Sequence, residues 1–591
     1  MVSQHGDRPA VIARSPTTTP LAAGTAAEEE ALTYHGLDIL SNRLASSLSS
    51  LGVRKGDRVA VSLGNGAPFA ALTYALFKLG AVLVPLNPTF SAHQVVSALR
   101  HLGATVLVSG AATDLAYRPG RGRSNEALLR EVVGGDLTSS PSSSHGIQSE
   151  TVPSLRAVVV LDNLSSHPQV DFDLSSCKAL TPYSSLLDGS PGAVHPSEDL
   201  LPSDIINIQF TSGTTSAPKA AMLSHTSILN NGRFIADRMG LDPSDKIVVP
   251  PPLFHCFGSV LGYMASATTG AAILFPSPAF DPVATIKMAS DHEATGLYGV
   301  ATMLVAIFEA LDAAGPSALP PPRHLRKGIA AGSSVPESLM RRIYDRLGLR
   351  DLVICYGMTE TSPVSCMTRP SDPFVKRTSS IGTPMPHTHV KIVSPSDPSV
   401  VLPVGQRGEL AASGYLTMRG YYADQTATDA VRRADADGRV WVYSGDEASM
   451  DKDGFVEITG RIKDLIIRGG ENIHPLEVEN CLFQLRGVKE VSVVGVPDDR
   501  LGEAVAAFVV PSPGWSTDVD SAGAKRDGAR GSEGELLAVD DIKSWVKEKL
   551  SGHLVPKYVF WADVYPKTAS GKIQKFKLRD QAKDMLKTKQ P

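Results

Sequence analysis

A loop rich in hydroxyl side chains follows directly after the apolar run Ile205–Phe210. It ends in a lysine and reads Thr211-Ser212-Gly213-Thr214-Thr215-Ser216-Ala217-Pro218-Lys219. Backbone and hydroxyl donors beside one mobile cation are what a polyphosphate requires. A Ser/Thr-rich loop alone is more often only a turn. The spacing also differs from the GxxxxGK[ST] loop of P-loop NTPases, so that class of protein is excluded.

Four further clusters combine small, hydroxyl, acidic and basic residues later in the chain. They are Tyr356-Gly357-Met358-Thr359-Glu360, Ser444-Gly445-Asp446, Gly460-Arg461-Ile462-Lys463-Asp464 and Ser570-Gly571-Lys572-Ile573. Each cluster alone is weak evidence. Together, from about residue 50 to about residue 580, five motifs in this order resemble the adenylate-forming superfamily. That superfamily includes acyl- and aryl-CoA synthetases, luciferases and adenylation domains of peptide synthetases.

Three longer stretches narrow the resemblance to medium-chain fatty acyl-CoA synthetases. They cover residues 252–259, 466–473 and 571–576. The resemblance implies ATP, Mg²⁺ and coenzyme A, with a carboxylic acid as the partner substrate. A carboxylate is a poor electrophile. When one of the carboxylate oxygens attacks the α-phosphorus of ATP, that oxygen becomes part of AMP, which is a good leaving group. The barrier to that step is largely electrostatic, so cations and fixed donors are needed where charge develops.

The resemblance also implies a role for each motif residue in binding or catalysis. Lys572 would bridge the substrate carboxylate and the α-phosphate, although it is also one of several lysines on a basic tail. Glu360 would hold Mg²⁺, which prefers carboxylate and phosphate oxygens. Asp446 would accept both ribose hydroxyls, although an aspartate after glycine is also common in turns. The remaining implied contacts are the α-phosphate for Thr359, adenine for Tyr356, ribose and phosphate for Arg461, and the adenine edge for Gly332 and Ser333.

Further residues are implied to serve the acyl and thiol ends of the reaction. Lys463 matches a hinge about which a small domain would rotate between two half-reactions. Gly469 and Gly470 would line a pantetheine tunnel, although a plain turn explains them almost equally well. His255, in an apolar stretch, is implied to position the substrate, with no acid–base role required. Candidate residues for the acyl pocket are Tyr298, Gly299, Val300 and Met303.

Two positions depart from the family pattern. Ser216 and Ala220 stand where the family usually has glycine. Either side chain restricts φ in a crowded loop, so ATP affinity is expected to fall or the loop to be slightly reshaped. The groups with direct chemistry in this loop are retained, and we expect activity to persist.

The alternation of short apolar runs with helical patterns predicts a layered α/β protein of several units in 591 residues. After Gly460 the pattern restarts on a smaller scale. We therefore predict an N-terminal AMP-binding adenylation domain over 1–460, a hinge over 461–465 and a small mobile α+β domain over 466–591. Residues 118–155 and 511–534 are rich in Ser, Gly or charged residues. They are expected to be surface insertions without order of their own.

Composition and short sequence signals argue against several other classes of protein and bear on the cellular location. A formal net charge of -4 gives no reason to expect a nucleic-acid partner. Five scattered cysteines form no CxxC pair, which argues against a disulfide framework or a zinc site. Prolines and glycines interrupt residues 247–280, so no membrane span is expected there. With no signal peptide, mitochondrial leader or peroxisomal Ser-Lys-Leu address recognised, a soluble cytoplasmic enzyme is predicted.

The leading hypothesis is an AMP-forming fatty acid–CoA ligase for a medium-length chain. One alternative is an acyl-AMP ligase or specialised-metabolism synthetase that loads a carrier protein, and another is an aryl-CoA ligase. A third, from a different class, is a non-catalytic binding protein of this fold, against which the intact Lys572, Glu360 and Asp446 argue. A weak membrane association and the oligomeric state are left open.

Overall fold

Short runs of valine, alanine and leucine form the central strands of two sheets. The strands Arg58–Ser62, Val106–Gly110 and Ala157–Leu161 are buried along almost their whole length. A parallel strand covered on both faces has no solvent-facing side, so its sequence stays apolar throughout. These elements belong to a computed structural model, which describes residues 1–15, 28–140, 147–211, 219–331, 335, 337–518, 535–567 and 573–587.

Two mixed sheets make up most of the N-terminal part, by which we mean residues 1–460. Within the described ranges, the first sheet has nine strands in the order Thr383–Pro384, Val364–Met367, Asp351–Gly357, Lys327–Ala330, Gly296–Gly299, Lys246–Val248, Ala272–Phe275, Pro9–Arg14 and Glu29–Thr33. The second has seven, in the order Ala220–Ser224, Ile205–Phe210, Val82–Pro85, Arg58–Ser62, Val106–Gly110, Ala157–Leu161 and Thr181–Pro182. Parallel pairs dominate the interior of both sheets, and antiparallel pairs lie towards their edges.

Helices separate and cover these sheets. Leu44 and Leu72, on the helices Tyr34–Ser50 and Ala67–Leu79, are fully buried and share one core with Val59 of the second sheet and Ile273 of the first. The other described α-helices of this part are Val2–His5, Ala92–Leu102, Glu126–Val133, His225–Met239, Ala265–Thr269, Pro282–Asp291, Ala301–Ala314, Glu337–Leu347, Phe374–Ser379 and Gln425–Val431. A π-helix spans Phe257–Met264, and 3₁₀ turns span Leu164–Ser166, Leu174–Ser176, Tyr183–Asp188 and Thr359–Thr361.

A third sheet ends the N-terminal part. Its described strands run in the order Thr388–Val393, Gly408–Gly414, Val440–Met450 and Arg432–Ala434, and Val456–Arg461 also pairs with Val440–Met450. The 3₁₀ turn Ile462–Asp464 then leads out of this sheet. The chain thus leaves the N-terminal part directly from a strand that also carries Arg461.

The C-terminal part, residues 466–591, has a sheet and apolar cores of its own. The described strands run in the order Glu471–Ile473, Ile466–Arg468, Gly502–Pro511 and Val488–Asp498, with Tyr558–Trp561 parallel to Gly502–Pro511. Its remaining elements are the helices Pro475–Leu482, Val539–Lys549 and Lys575–Lys587, the 3₁₀ turn Gly552–Leu554, and the paired strands Ser516–Thr517 and Leu536–Leu537. The two faces of the sheet are covered by separate cores, one of which contains Val478 and Leu482. The exact limits proposed for the two domains and the hinge remain a prediction.

The expectation that residues 118–155 lack order is wrong for the described parts of that segment. A hairpin pairs Ala112–Asp114 with Gly122–Ser124, and the helix Glu126–Val133 follows. Leu129 and Val132 of that helix are fully buried in the core of the second sheet, together with Val152. Composition alone misled here because a few well-spaced apolar residues anchor a segment that is otherwise rich in Ser and Gly. Residues 519–534 of the other expected insertion lie outside the described ranges.

None of the described helices is both long enough and apolar enough to cross a membrane. The stretch 247–280 is instead divided among a strand, the π-helix, a short helix and another strand, as its prolines and glycines predict.

Candidate functional site

One corner of the candidate site joins the first and third sheets through Tyr356, Asp446 and Arg461. The Tyr356 hydroxyl donates to Oδ2 of Asp446 at 2.5 Å. Asp446 and Arg461 face each other across an antiparallel pair of strands, and Arg461 Nε lies 3.2 Å from Asp446 Oδ1. Burial and the neighbouring Asp446 carboxylate raise the pKa of Tyr356, so its hydroxyl stays protonated and donates. We call this group the Asp446 corner.

The strand Val440–Met450 is irregular just before Asp446, and hydrogen bonds fix the backbone there. The Asp446 N–H donates to Ser444 Oγ at 3.1 Å, and the Gly445 N–H donates to Glu409 Oε1 at 2.8 Å. Gly445 has φ +72°, in the left-handed region that glycine adopts without strain. Among the described residues, Oδ1 of Asp446 receives no hydrogen bond although it is buried and close to Arg461. The Asp446 carboxylate therefore retains acceptor capacity for a hydroxyl-bearing ligand.

A sharp turn after Tyr356 leads into the 3₁₀ turn that carries Thr359 and Glu360. A Cβ atom on Gly357 would lie 1.8 Å from the Pro363 carbonyl oxygen, so only glycine fits at this crossing. Thr361 Oγ1 accepts the Met358 N–H at 3.1 Å, which closes the turn. Asn231, from the helix His225–Met239, pairs with both backbone groups of Val364 just beyond it, at 2.9 and 3.1 Å.

A second corner contains Glu360, Tyr421 and Lys219, and we call it the Glu360 corner. Glu360 is buried, and its Oε1 accepts a hydrogen bond from the Tyr421 hydroxyl at 2.6 Å. Lys219 Nζ lies 5.1 Å from the centre of the Tyr421 ring, within the range of a cation–π contact. The Thr211 N–H donates to the Lys219 carbonyl at 2.8 Å, so the two ends of the hydroxyl-rich loop meet at this point.

The Glu360 carboxylate suits a magnesium ion that is also held by phosphate oxygens. No donor among the described residues contacts its Oε2 oxygen, and only Tyr421 contacts Oε1. The described part of the chain has no group of three or more His, Cys, Asp and Glu side chains that could hold a metal alone. Mg²⁺ commonly binds through one or two carboxylates plus substrate phosphates, which is the arrangement that a single Glu360 would allow.

His255 lies at the start of the π-helix, partly buried. Its Nδ1 accepts the Phe257 N–H at 3.2 Å, and its carbonyl accepts the Ser259 hydroxyl. Among the candidate acyl-pocket residues, Tyr298 is fully buried, stacks on Phe257 and donates to Met239 Sδ at 3.0 Å. These contacts place His255 in a structural turn, and its role towards a substrate remains a prediction.

The predicted hinge and tunnel residues lie on the C-terminal side of Arg461. Lys463 is exposed in the 3₁₀ turn Ile462–Asp464. Gly469 and Gly470 form the exposed tip of a hairpin with φ +62° and +86°, and the Gly469 N–H donates to the Leu501 carbonyl at 2.7 Å. The turn interpretation is therefore correct for both glycines. It leaves a contact with pantetheine as a prediction.

Several predicted site residues lie outside the described ranges. They are Ser212, Gly213, Thr214, Thr215, Ser216, Ala217, Pro218, Gly332, Ser333 and Lys572. Lys567 and Ile573 pair across a β-bridge on either side of residues 568–572. Ala220, one of the two departures from the family pattern, is buried at the start of an edge strand, where its methyl group packs into the core of the second sheet.

Sequence reasoning missed Tyr421, Glu409 and Asn231 as parts of the site. Each contacts a motif residue, or the turn after one, from a distant place in the chain. A tyrosine after glycine carries no periodic or spacing signal, so its partner emerges only from the fold.

Comparisons with known proteins find related families and proteins along most of the chain. Residues 1–422 match the model of the AMP-binding enzyme family, and residues 477–572 match the AMP-binding enzyme C-terminal domain. The putative acyl-CoA synthetase YngI of Bacillus subtilis is 37% identical over 94% of this chain and 92% of its own length. The mitochondrial medium-chain acyl-CoA ligase ACSF2 of Danio rerio is 34% identical over 92% of this chain and 82% of its own.

Solved structures agree on the fold. The anthranilate CoA ligase AuaEII, in complex with anthranoyl-AMP, superimposes with a TM-score of 0.76 at 22% identity, covering 99% of this chain and 96% of that one. This confirms the predicted layered α/β architecture with its smaller C-terminal unit. The matching models and relatives also confirm the resemblance that the five motifs suggested: the chain belongs to the AMP-binding, adenylate-forming enzyme family.

Proposed function

We propose that this chain is an AMP-forming acyl-CoA synthetase that activates an aliphatic fatty acid of medium length. The observation that carries the proposal is the connection of the two corners. Tyr356, which contacts Asp446, and Glu360, which contacts Tyr421, are four residues apart on one fixed turn. A group that suits ribose and a group that suits magnesium and phosphate are thereby linked through one short stretch of backbone, which supports the binding of one nucleoside triphosphate by both.

In the first half-reaction, a carboxylate oxygen of the acid bonds to the α-phosphorus of ATP, and the bond to the β-phosphate bridging oxygen breaks. Pyrophosphate leaves, and an acyl-adenylate remains. Asp446 would accept the ribose hydroxyls, and Lys219 and Thr359 would contact the phosphates. When bound, Mg²⁺ would neutralise charge on the phosphate oxygens beside Glu360. Lys572 would stabilise the negative charge that develops between the carboxylate and the α-phosphate.

In the second half-reaction, the sulfur of coenzyme A bonds to the acyl carbon, and the carbon–oxygen bond to AMP breaks. Rotation of the C-terminal part about Lys463 would withdraw Lys572 and bring the Gly469–Gly470 hairpin towards the thiol. The exposed position of both features, beyond the last strand of the N-terminal part, supports this assignment. Medium chain length is supported by relatives such as ACSF2, which is named a medium-chain acyl-CoA ligase.

A substrate panel tests the proposal directly. Purified protein is incubated with ATP, Mg²⁺, coenzyme A and one acid at a time, from butanoic to octadecanoic acid, with benzoic and anthranilic acids included. Pyrophosphate and acyl-CoA are both measured. We expect equal amounts of the two products, greatest for chains of intermediate length. Acyl-AMP that accumulates without acyl-CoA would indicate a carrier-protein ligase, and preference for the aromatic acids would indicate an aryl-CoA ligase.

A further inference from the structure

Tyr421 is held in place by its backbone, independently of its side chain. It directly follows Gly420, and its N–H donates to Thr428 Oγ1 at 2.9 Å. An isolated β-bridge also pairs it with Ala221, on the edge strand that follows Lys219. The residue is 5% exposed. The backbone therefore fixes the point from which the aromatic ring extends.

The side chain of Tyr421 contacts the two oppositely charged groups of the Glu360 corner. Its hydroxyl donates to Glu360 Oε1 at 2.6 Å, and the Lys219 ammonium lies 5.1 Å from the ring centre. A carboxylate only accepts hydrogen bonds, so the Tyr421 hydroxyl is the donor in this contact.

We propose that Tyr421 is a positioning residue that sets the geometry of Glu360 and Lys219 together for a magnesium–nucleotide complex. The hydrogen bond fixes the rotation of the Glu360 carboxylate, so that Oε2 is the oxygen left for the cation. The ring face attracts the Lys219 ammonium and limits the space it explores. One side chain thus couples a carboxylate on a turn of the first sheet to a lysine beside the second sheet. This inference rests on the proposed function of Glu360 and Lys219 in binding Mg²⁺ and phosphate.

Two substitutions separate the two contacts. Tyr421→Phe removes the hydroxyl and keeps the ring, whereas Tyr421→Leu removes both. Tyr422→Phe is the matched control, because the neighbouring tyrosine loses the same atom outside this corner. Its ring packs edge-to-face against His101 instead. Thermal unfolding of all three full-length variants shows whether each is folded before any comparison is made.

The measurement is the affinity for a non-hydrolysable ATP analogue, by titration calorimetry, at a series of Mg²⁺ concentrations. We expect Tyr421→Phe to raise the Mg²⁺ concentration needed for half-maximal binding about three- to tenfold, since a hydrogen bond to a charged group is lost. High Mg²⁺ should restore its affinity. Tyr421→Leu should also weaken nucleotide binding at saturating Mg²⁺, because Lys219 loses its ring. Tyr422→Phe should match the unchanged protein.

An unaltered Mg²⁺ dependence in folded Tyr421→Phe would overturn the proposal. So would a loss of affinity that is equal at every Mg²⁺ concentration, because that result would make Tyr421 a structural residue only. The same titration distinguishes this inference from the proposed function. If the protein binds the magnesium–nucleotide complex but converts no acid to acyl-CoA, the proposed function is wrong. The titration then still tests the role of Tyr421. Protein that binds no nucleotide overturns both.

Discussion

The interior of the candidate site and the contact between the two parts of the chain are built in different ways. In the site, Tyr356 contacts Asp446 and Tyr421 contacts Glu360, both carboxylates being at most 9% exposed. Between the parts, Lys489 Nζ lies 2.7 Å from Glu309 Oε1, with side chains that are 29% and 45% exposed. A buried network holds one geometry, whereas an exposed ion pair contributes only about 0–1 kcal/mol.

Near the predicted hinge, the two parts of the chain meet in a buried contact. His474 Nδ1 lies 3.3 Å from Glu447 Oε2, and both residues are under 10% exposed. Thr459 also donates to the Glu447 carboxylate. The C-terminal part is thus attached by a buried contact beside the chain crossing and by a partly exposed pair at Lys489. The nucleotide-binding side chains are thus held by buried contacts, whereas the partly exposed pair at Lys489 adds little to fixing the position of the C-terminal part.

The largest expected effect comes from Lys572→Ala. It should reduce acyl-AMP formation about a hundred- to a thousandfold, because a cation at the site of developing charge is lost. Thioester formation from supplied acyl-AMP should be largely unaffected. Both half-reactions are measured separately, with Lys577→Ala as the control for loss of a nearby lysine. Equal loss of both half-reactions would show that Lys572 is structural or wrongly assigned.

A smaller effect, on the other half-reaction, is expected from Lys463→Pro. Proline fixes φ and should hinder rotation about the 3₁₀ turn, slowing the thiol step by about tenfold or more while sparing adenylation. Lys463→Ala removes the same side chain but leaves the backbone free, so it should retain both steps. Normal acyl-CoA production by Lys463→Pro, measured beside single-turnover adenylation, would remove the hinge assignment.

The smallest effect is expected from Glu309→Gln, which breaks the ion pair with Lys489. The ratio of the two half-reaction rates should change by less than about fivefold, and high salt should abolish the difference. Glu293→Gln is the matched control, because it removes an equal charge from an exposed glutamate whose weak partner, His324, lies within the N-terminal part. A change that persists at high salt, or a loss of nucleotide binding, would contradict the small contribution expected of this exposed pair.

Sequence alone predicted the family, the layered fold and the main strands. The strand Ile205–Phe210 lies at the apolar run that precedes the hydroxyl-rich loop, because a strand buried on both faces leaves a continuous apolar signal. Motif order also identified Asp446 and Glu360 as site candidates. The same reasoning failed for residues 118–155, where composition hid the buried helix Glu126–Val133.

Only the tertiary structure decided which groups meet. Tyr356 and Asp446 are 90 residues apart, and Glu360 and Tyr421 are 61 residues apart. Such pairs come together through the packing of three sheets, which local spacing does not encode. The chemistry of each motif could therefore be predicted from its residue types. The partner that orients each motif, above all Tyr421 beside Glu360, was determined by long-range packing.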